Sequence, residues 1–276
     1  MCRLLMLLGI NLAELSPYID SFVEASKCDL VLADYLKRSK CENHGDGWGF
    51  AAVGIRESGV STSTYYRTTA PVYSDLAGVE SFKNVLREVK VGVAIAHSRK
   101  SAEGSVKIGN THPIYYSWKG FEMWIAHNGV VDSDSLARVL GVAKLPDTTD
   151  TYYLGEYVYR YLSGASAEEL AEALKTAARY TKTAMNTLTA LFDGRKLISS
   201  VTFYLSERKT WSEPAIKYYK VLVKEFEKSK AFFSSSLLSY LSDPNVGEVP
   251  QQAAIIIELD LASEKMYSRT YKLSAG

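Results

Sequence analysis

The sequence predicts an α+β protein in which strands near both ends of the chain enclose a helical middle. Segments with the apolar patterns of strands occur at the start and the end, whereas successive segments with helical spacing lie between residues 133 and 180. Strand and helix do not alternate regularly, which argues against a sheet built from βαβ units. No repeat, low-complexity tract or linker rich in proline and glycine interrupts the chain, so we expect residues 1–276 to form a single domain.

The N-terminal elements are predicted from short local patterns. Residues 2–8 are an uninterrupted apolar run, typical of a buried strand. Ser16 and Pro17 mark the N-cap and first residue of an amphipathic helix within residues 15–27. Two strands joined by a glycine-containing turn, a helix and two more apolar strands follow; they cover residues 48–55, 61–67, 75–89, 91–96 and 121–126.

The C-terminal half begins with helices and ends in strands. Apolar residues three and four positions apart predict helices over residues 133–140, 151–162 and 167–180. The dipeptide Asp193-Gly194 predicts the turn of a hairpin. Alternating charged and apolar residues predict a strand with one solvated face over residues 217–226. The other strands of this half are expected over residues 187–192, 197–204, 232–233, 253–259 and 266–271.

Composition and charge exclude several classes of protein. The chain is 47% hydrophobic and 23% charged, as in ordinary globular proteins. Its 32 basic and 31 acidic residues give a net charge of +1, without the basic surplus typical of nucleic-acid binding. No run of apolar residues is long enough to span a membrane. The apolar run after Arg3 is too short for a signal peptide and lacks a cleavage site.

Three cysteines, Cys2, Cys28 and Cys41, are present. They form no C-x-x-C pair, so we expect no disulfide framework and treat Cys28 and Cys41 as structural. This usage is typical of a reducing compartment, and we therefore expect a cytoplasmic protein.

Cys2 is the most informative residue, because it becomes the N-terminus when Met1 is removed. It then carries a thiol, with an ordinary pKa of about 8.5, and an α-amine, with an ordinary pKa of roughly 7.7–8.0. The amine can act as base for the thiol, so that one residue supplies both nucleophile and proton acceptor.

Polar residues collect where the apolar segments begin or end. The glycines of His-Gly-Asp-Gly-Trp-Gly, residues 44–49, permit positive φ and close backbone approach before a strand. The other polar motifs are His-Ser-Arg-Lys (97–100), Asn-Thr-His-Pro (110–113), His-Asn-Gly (127–129) and Thr-Asp-Thr (149–151). Each also has a purely structural interpretation, such as a tight turn for Asn128-Gly129 or a helix N-cap for Asp150.

With Met-Cys at the start, these motifs resemble in type and order those of the class II glutamine amidotransferases, the N-terminal-cysteine branch of the N-terminal nucleophile (Ntn) hydrolases. The resemblance covers Cys2 to Asp150 and is strongest to small stand-alone members without a fused synthase domain. It implies an αββα sandwich of two mainly antiparallel sheets between helical layers. It implies neither a cofactor nor a metal.

The resemblance also implies roles for the reacting groups. Cys2 would attack the side-chain amide carbon of glutamine, and its α-amine would pass the proton to the departing ammonia. Asn128 and the backbone N–H of Gly129 would form the oxyanion hole. Water would then hydrolyse the thioester and release glutamate.

Further residues match substrate-binding positions of the family. Arg99 matches the arginine that grips the α-carboxylate, and Asp150 the carboxylate that receives the α-ammonium. The backbone at His44-Gly45 matches the loop beside the nucleophile. Two softer matches are His112 and Ser101, whose hydroxyl stands one position away from that of many relatives.

Two versions of the enzyme stay open, because both recognise a γ-glutamyl group. One hydrolyses glutamine and passes ammonia to a separate acceptor synthase; the other cleaves different γ-glutamyl amides or peptides. The sequence has neither G-x-x-x-x-G-K-[ST] nor G-x-G-x-x-G, which argues against ATP-driven ligation within the chain. Homo-oligomerisation is compatible with either version.

Two other classes of function are alternatives. A non-catalytic glutamine-binding or regulatory module would result if Met1 were retained, since the free amine would then lie one residue away. A metalloenzyme is disfavoured, because the four histidines show no H-x-H or H-E-x-x-H spacing.

Overall fold

The computed structural model describes residues 2–274. In this range the strands are β1 (Cys2–Ile10), β2 (Trp48–Arg56), β3 (Ser61–Thr68), β4 (Val89–Arg99), β5 (Ile114–Tyr116), β6 (Glu122–Val131), β7 (Thr181–Phe192), β8 (Lys196–Phe203), β9 (Val221–Glu225), β10 (Ser229–Ser234), β11 (Gly247–Glu248), β12 (Ala253–Asp260) and β13 (Lys265–Lys272). The helices are α1 (Pro17–Lys27), α2 (Leu30–Tyr35), α3 (Leu76–Glu88), α4 (Ser133–Leu140), α5 (Asp150–Tyr161), α6 (Ala167–Ala178) and α7 (Glu213–Tyr219).

Two antiparallel sheets form the centre of the described structure. The first has the strand order β11-β9-β10-β1-β4-β2-β3, and the second β13-β12-β8-β7-β6-β5. One hydrophobic core lies between the sheets. A second core joins the first sheet to α1 and α3, and a third joins the second sheet to α4, α5 and α6. The expected α+β fold of two antiparallel sheets flanked by helices is confirmed.

The position of β1 explains its uninterrupted apolar sequence. Leu4, Met6 and Leu8 face the second sheet. Leu5 and Leu7 face the helical layer on the other side. A strand covered on both faces gains from apolar residues at every position rather than at alternate ones. This burial fixes Cys2 at the start of a rigid central strand.

The predicted strand over residues 217–226 is wrong in its first part. Pro214, in the first turn of α7, starts a helix that continues to Tyr219, and β9 begins only at Val221. Tyr218 and Tyr219 are both buried, so tertiary packing outweighs the local alternation. The short helix α2 was not predicted, although the Asp29 side chain caps it by accepting from the Leu32 N–H at 2.8 Å.

The expectation of no disulfide is also wrong, because Cys28 and Cys41 are bonded to each other. Asp29 and Glu42 form an isolated antiparallel bridge with two mutual backbone hydrogen bonds. This bridge brings the Cα atoms of the cysteines to 5.1 Å, a usual distance for a disulfide. The bridge is a tertiary feature, and the spacing of the cysteines in the sequence does not reveal it.

Among the described helices, none has the length and apolar character required to cross a membrane.

Candidate active site

The start of β1 meets the end of β4 and the middle of β6. Cys2 pairs with Arg99 in the antiparallel ladder between β1 and β4. The apolar strands β4 and β6 both continue beyond their predicted ends, so that His97 and Asn128 lie within strands rather than in loops. A small cavity of about 20 Å³ lies there. It is lined by Cys2, Arg99, Lys100, Ala102, Glu103, His112, His127, Gly129, Val130, Thr149, Asp150 and Thr151.

The backbone of Cys2 is tied to Asn128. The Cys2 N–H donates to Asn128 Oδ1 at 2.9 Å, which joins the first sheet to the second. Because a nitrogen at this position donates, the side-chain oxygen of Asn128 faces Cys2 and its Nδ2 donor is turned away from the Cys2 backbone. The thiol contacts the Lys100 carbonyl oxygen at 3.8 Å. Asn128 therefore holds the backbone of Cys2 while keeping an N–H donor for another partner.

Gly129 has a conformation that a side chain would not allow. Its φ is +152°, and an added Cβ would collide with the carbonyl group of Ala184. The register between β6 and β7 shifts between Gly129 and Val131, so the ladder is irregular there. A bulge of this kind leaves backbone groups outside the regular ladder, as an oxyanion hole requires.

The Arg99 guanidinium is buried and surrounded by the loop that follows it. Its Nη2 donates to the carbonyl oxygens of Glu103 at 2.8 Å and Gly104 at 2.9 Å, and to Ser101 Oγ at 3.0 Å. Its Nη1 donates to the Ser105 carbonyl oxygen at 3.0 Å. The cavity is roughly the size of a single water molecule, so in this conformation it is too small for an amino acid.

Asp150 is the first residue of α5 and not its N-cap, which is Thr149. Its Oδ2 accepts from the Val131 N–H at 2.7 Å, and its Oδ1 contacts the Thr149 hydroxyl at 3.2 Å. A carboxylate at a helix N-terminus is favoured by the helix dipole. Asp150 therefore lines the cavity with its carboxyl group held by the Val131 backbone and the Thr149 hydroxyl.

Not every residue predicted for the site lines the cavity. His44 is fully buried, with its Nε2 2.8 Å from Asp29 Oδ2, and Gly45 also lies outside the lining. The His44 carbonyl oxygen accepts from Ser98 Oγ at 3.0 Å, so the loop lies behind the end of β4. Ser101 contacts Arg99, whereas His112 lines the cavity.

Sequence reasoning missed His97 and Glu103. Glu103 lines the cavity, and burial together with the nearby charge of Asp150 raises the pKa of its carboxyl group. Burial raises the pKa of the Cys2 thiol, but nearby positive charge and the interaction with His97 more than offset it, and the net pKa is well below the ordinary value. His97 is the first residue of the His-Ser-Arg-Lys motif (97–100), but a histidine at the end of an apolar strand gave no reason to expect contact with Cys2.

Comparison with known proteins agrees with the fold. The family model of the class II glutamine amidotransferases matches residues 21–208, which is more than half of the chain and includes Arg99, Asn128 and Asp150. The chain therefore belongs to the class II glutamine amidotransferases, which are Ntn hydrolases. A search of curated protein sequences found no match.

Two solved structures are similar over 100% of this chain. One is described as the allosteric regulatory enzyme of purine biosynthesis, with 13% identity and a TM-score of 0.60. The other is glutamine phosphoribosylpyrophosphate amidotransferase from B. subtilis complexed with ADP and GMP, with 15% identity and a TM-score of 0.59. The chain spans 50% of the length of each. At this level of identity the likeness establishes the fold.

Proposed function

We propose that this protein hydrolyses the side-chain amide of glutamine through a thioester on Cys2, giving glutamate and ammonia. The observation that carries the proposal is the contact of the Cys2 N–H with Asn128 Oδ1, because it brings the nucleophilic residue to the asparagine expected to form the oxyanion hole. Arg99 and Asp150, which carry the charges needed to hold an amino acid, line the same cavity.

In the first step the Cys2 sulfur attacks the amide carbon and the carbonyl oxygen becomes negatively charged. Asn128 Nδ2 and the Gly129 N–H are proposed to donate to this oxygen, where fixed donors stabilise charge that exists only in the transition state. The C–N bond then breaks, and the nitrogen leaves with a proton supplied through the α-amine of Cys2. Water attacks the thioester, which releases glutamate and restores the thiol.

Substrate recognition is proposed to use the two charges of the amino-acid group. Arg99 would exchange its contacts with the carbonyl oxygens of residues 103–105 for two hydrogen bonds to the α-carboxylate. Asp150 would receive the α-ammonium. His112, which lines the cavity, stays a prediction as a substrate contact. So do Ser101, His44 and Gly45, but the geometry gives them less support because they lie outside the cavity lining.

The first prediction concerns the nucleophile. Cys2→Ala is expected to abolish glutamate formation from glutamine, since no other side chain of the cavity supplies a thiol. The measurement is glutamate release by the purified protein, with circular dichroism to verify folding. The matched control Arg269→Ala removes an exposed cation far from the cavity and should leave activity unchanged. Wild-type activity in Cys2→Ala would exclude the mechanism.

The free α-amine depends on removal of Met1, which lies outside the described residues. The intact mass of protein purified from its own host shows directly whether this methionine is absent. A retained methionine together with inactivity would favour the non-catalytic interpretation. A panel of γ-glutamyl amides and peptides, assayed with and without cell extract, would separate a glutaminase that supplies ammonia to another enzyme from a hydrolase of larger γ-glutamyl compounds.

Cytoplasmic localisation stays a prediction. The bond between Cys28 and Cys41 weakens the argument from cysteine usage, because disulfides are rare in reducing compartments. Fractionation of the host cells, with the protein detected by antibody, tests the prediction.

A further inference from the structure

His97 combines complete burial with one unsatisfied ring nitrogen. The residue lies on β4 and has no exposed surface. Its Nε2 is 3.1 Å from His112 Nδ1, and the two ring centroids are 4.2 Å apart. Within residues 2–274, no hydrogen-bond partner is found for His97 Nδ1. Because a buried polar atom without a partner is costly, such an atom beside a reactive group is a candidate for function.

The ladder between β1 and β4 places this imidazole near the nucleophile. Cys2 pairs with Arg99, and Leu4 pairs with His97. Leu4 and Ile95 belong to the core between the sheets. Cys2 lies two residues before Leu4 on β1 and His97 two residues after Ile95 on β4, so both face the same side of the sheet. Diagonal neighbours in an antiparallel ladder are within reach of aromatic and other long side chains. Cys2 and His97 are diagonal neighbours of this kind.

The hydrogen bonds determine which nitrogen of His97 carries the proton. The His127 backbone N–H points to His112 Nδ1 at 3.5 Å, so His112 Nδ1 acts as an acceptor. His97 Nε2 therefore donates to it, and the lone pair of a neutral His97 lies on Nδ1. This arrangement presents a base, rather than a second donor, on the unsatisfied side of the ring.

We propose that His97 accepts the thiol proton of Cys2, so that the resting enzyme holds a thiolate–imidazolium pair. The S–H bond breaks and an N–H bond forms at His97 Nδ1, with no further reactant. After the thiolate attacks, His97 Nδ1 gives up this proton, which passes through the α-amine of Cys2 to the nitrogen that departs when the C–N bond breaks. The inference rests on the proposed function, in which Cys2 is the nucleophile, and it adds a proton acceptor that does not depend on the α-amine.

Other ionisable groups near the pair do not duplicate this role. Burial lowers the pKa of His112 and His127, and it lowers that of His44 to about 4, so these rings stay neutral near pH 7. The charge of Asp150 raises the pKa of His127, but burial lowers it by more. The α-amine remains as the second base, and the experiment must separate its effect from that of His97.

The test measures Cys2 reactivity against pH in the variant His97→Gln. Its amide retains polar atoms near His112 but cannot accept a proton. Alkylation by iodoacetamide, with Cys2→Ser giving the background, should remain fast in wild-type protein below pH 7. In His97→Gln the rate at pH 6.5 should fall about 10–100-fold, because the thiol then titrates closer to its ordinary pKa.

Two further measurements keep the test decisive. If His97→Gln does not fold, as judged by circular dichroism, His97→Asn replaces it. Wild-type protein should show the ultraviolet absorbance of a thiolate below pH 7, and alkylation should remove it. If the wild-type protein lacks this absorbance, the proposal is overturned without any variant. An unchanged pH profile in a folded His97 variant also overturns it. Neither result affects the proposed glutaminase activity, which Cys2→Ala tests separately.

Discussion

At the scale of the residue, neighbouring positions at the start of β1 face different surroundings. Cys2 faces the cavity, whereas the next residue, Arg3, is fully buried and forms an ion pair with Asp29 through its Nε at 2.7 Å. Alternation along a strand separates these two environments. The Cys2 thiol therefore lies beside a buried charge network that holds its strand in place.

Asn128 offers the sharpest residue-scale prediction for the chemical step. Asn128→Ala removes the proposed oxyanion donor and is expected to lower kcat by about 10²–10³-fold with little change in KM. Steady-state kinetics with glutamine measure both constants.

Asn186 is the matched control for this variant, since it pairs with Asn128 in the ladder but binds the backbone of Tyr204 and Tyr219. Asn186→Ala should lower the free energy of unfolding while kcat per folded molecule stays the same. If Asn128→Ala instead raised KM alone, its assignment to the oxyanion hole would be incorrect.

At the scale of the element, sequence patterns predicted most strands and helices because their apolar periods reflect burial. They failed where tertiary contacts decide. The periodicity could not show that β6 continues through Asn128 and Gly129, because Asn-Gly is also a strong turn signal. The helix α2 is too short to show a period. Arg99 and Asp150 line the same cavity as Cys2, but only the family resemblance, and not the local pattern, brought them together.

The disulfide between Cys28 and Cys41 gives a prediction at the same scale. It closes a loop with a sequence separation of 13 residues, which includes the capping residue Asp29 and the helix α2. Removing a cross-link of this length increases the entropy of the unfolded chain and should lower the free energy of unfolding by roughly 3 kcal/mol. Urea unfolding of the Cys28→Ser/Cys41→Ser double variant, compared with wild type, measures the difference.

Reductant provides the control for this experiment. Dithiothreitol should destabilise the wild-type protein by a similar amount and leave the double variant unaffected. Equal stability of all four samples would mean that the bond contributes nothing to folding in solution.

At the scale of the whole molecule, the buried network beside Cys2 connects distant parts of the chain. Asp29 binds Arg3 of β1, His44 of the loop before β2 and the hydroxyl of Ser236 at 2.8 Å. Burial raises the pKa of Asp29, but Arg3 and the other partners lower it further than burial raises it, so the carboxylate is charged. His44 stays neutral in this network, because the positive charge of Arg3 already balances the negative charge of Asp29.

This arrangement predicts how stability depends on pH. The folded pKa of His44 is about 4, below the ordinary value of 6.5. Its neutral form is therefore fully compatible with folding above pH 6.5. Between pH 6.5 and 4 the unfolded chain binds a proton at His44 that the folded chain excludes, so His44 alone lowers the free energy of unfolding by about 1.4 kcal/mol per pH unit, or about 3 kcal/mol over this range. The depressed pKa of Asp29 adds a further loss only below about pH 4.

Urea unfolding at a series of pH values from 7.5 to about 4.5 measures this slope, and the variant His44→Gln assigns it. The variant should be less stable than wild type at neutral pH. Because glutamine does not titrate, its free energy of unfolding should fall less steeply on acidification, by about 1.4 kcal/mol per pH unit. His112 and His127, whose pKa values burial also lowers, account for the slope that remains. A slope in His44→Gln equal to that of the wild type would show that His44 is protonated in the folded protein, and the Arg3–Asp29–His44 network would then hold a different balance of charge.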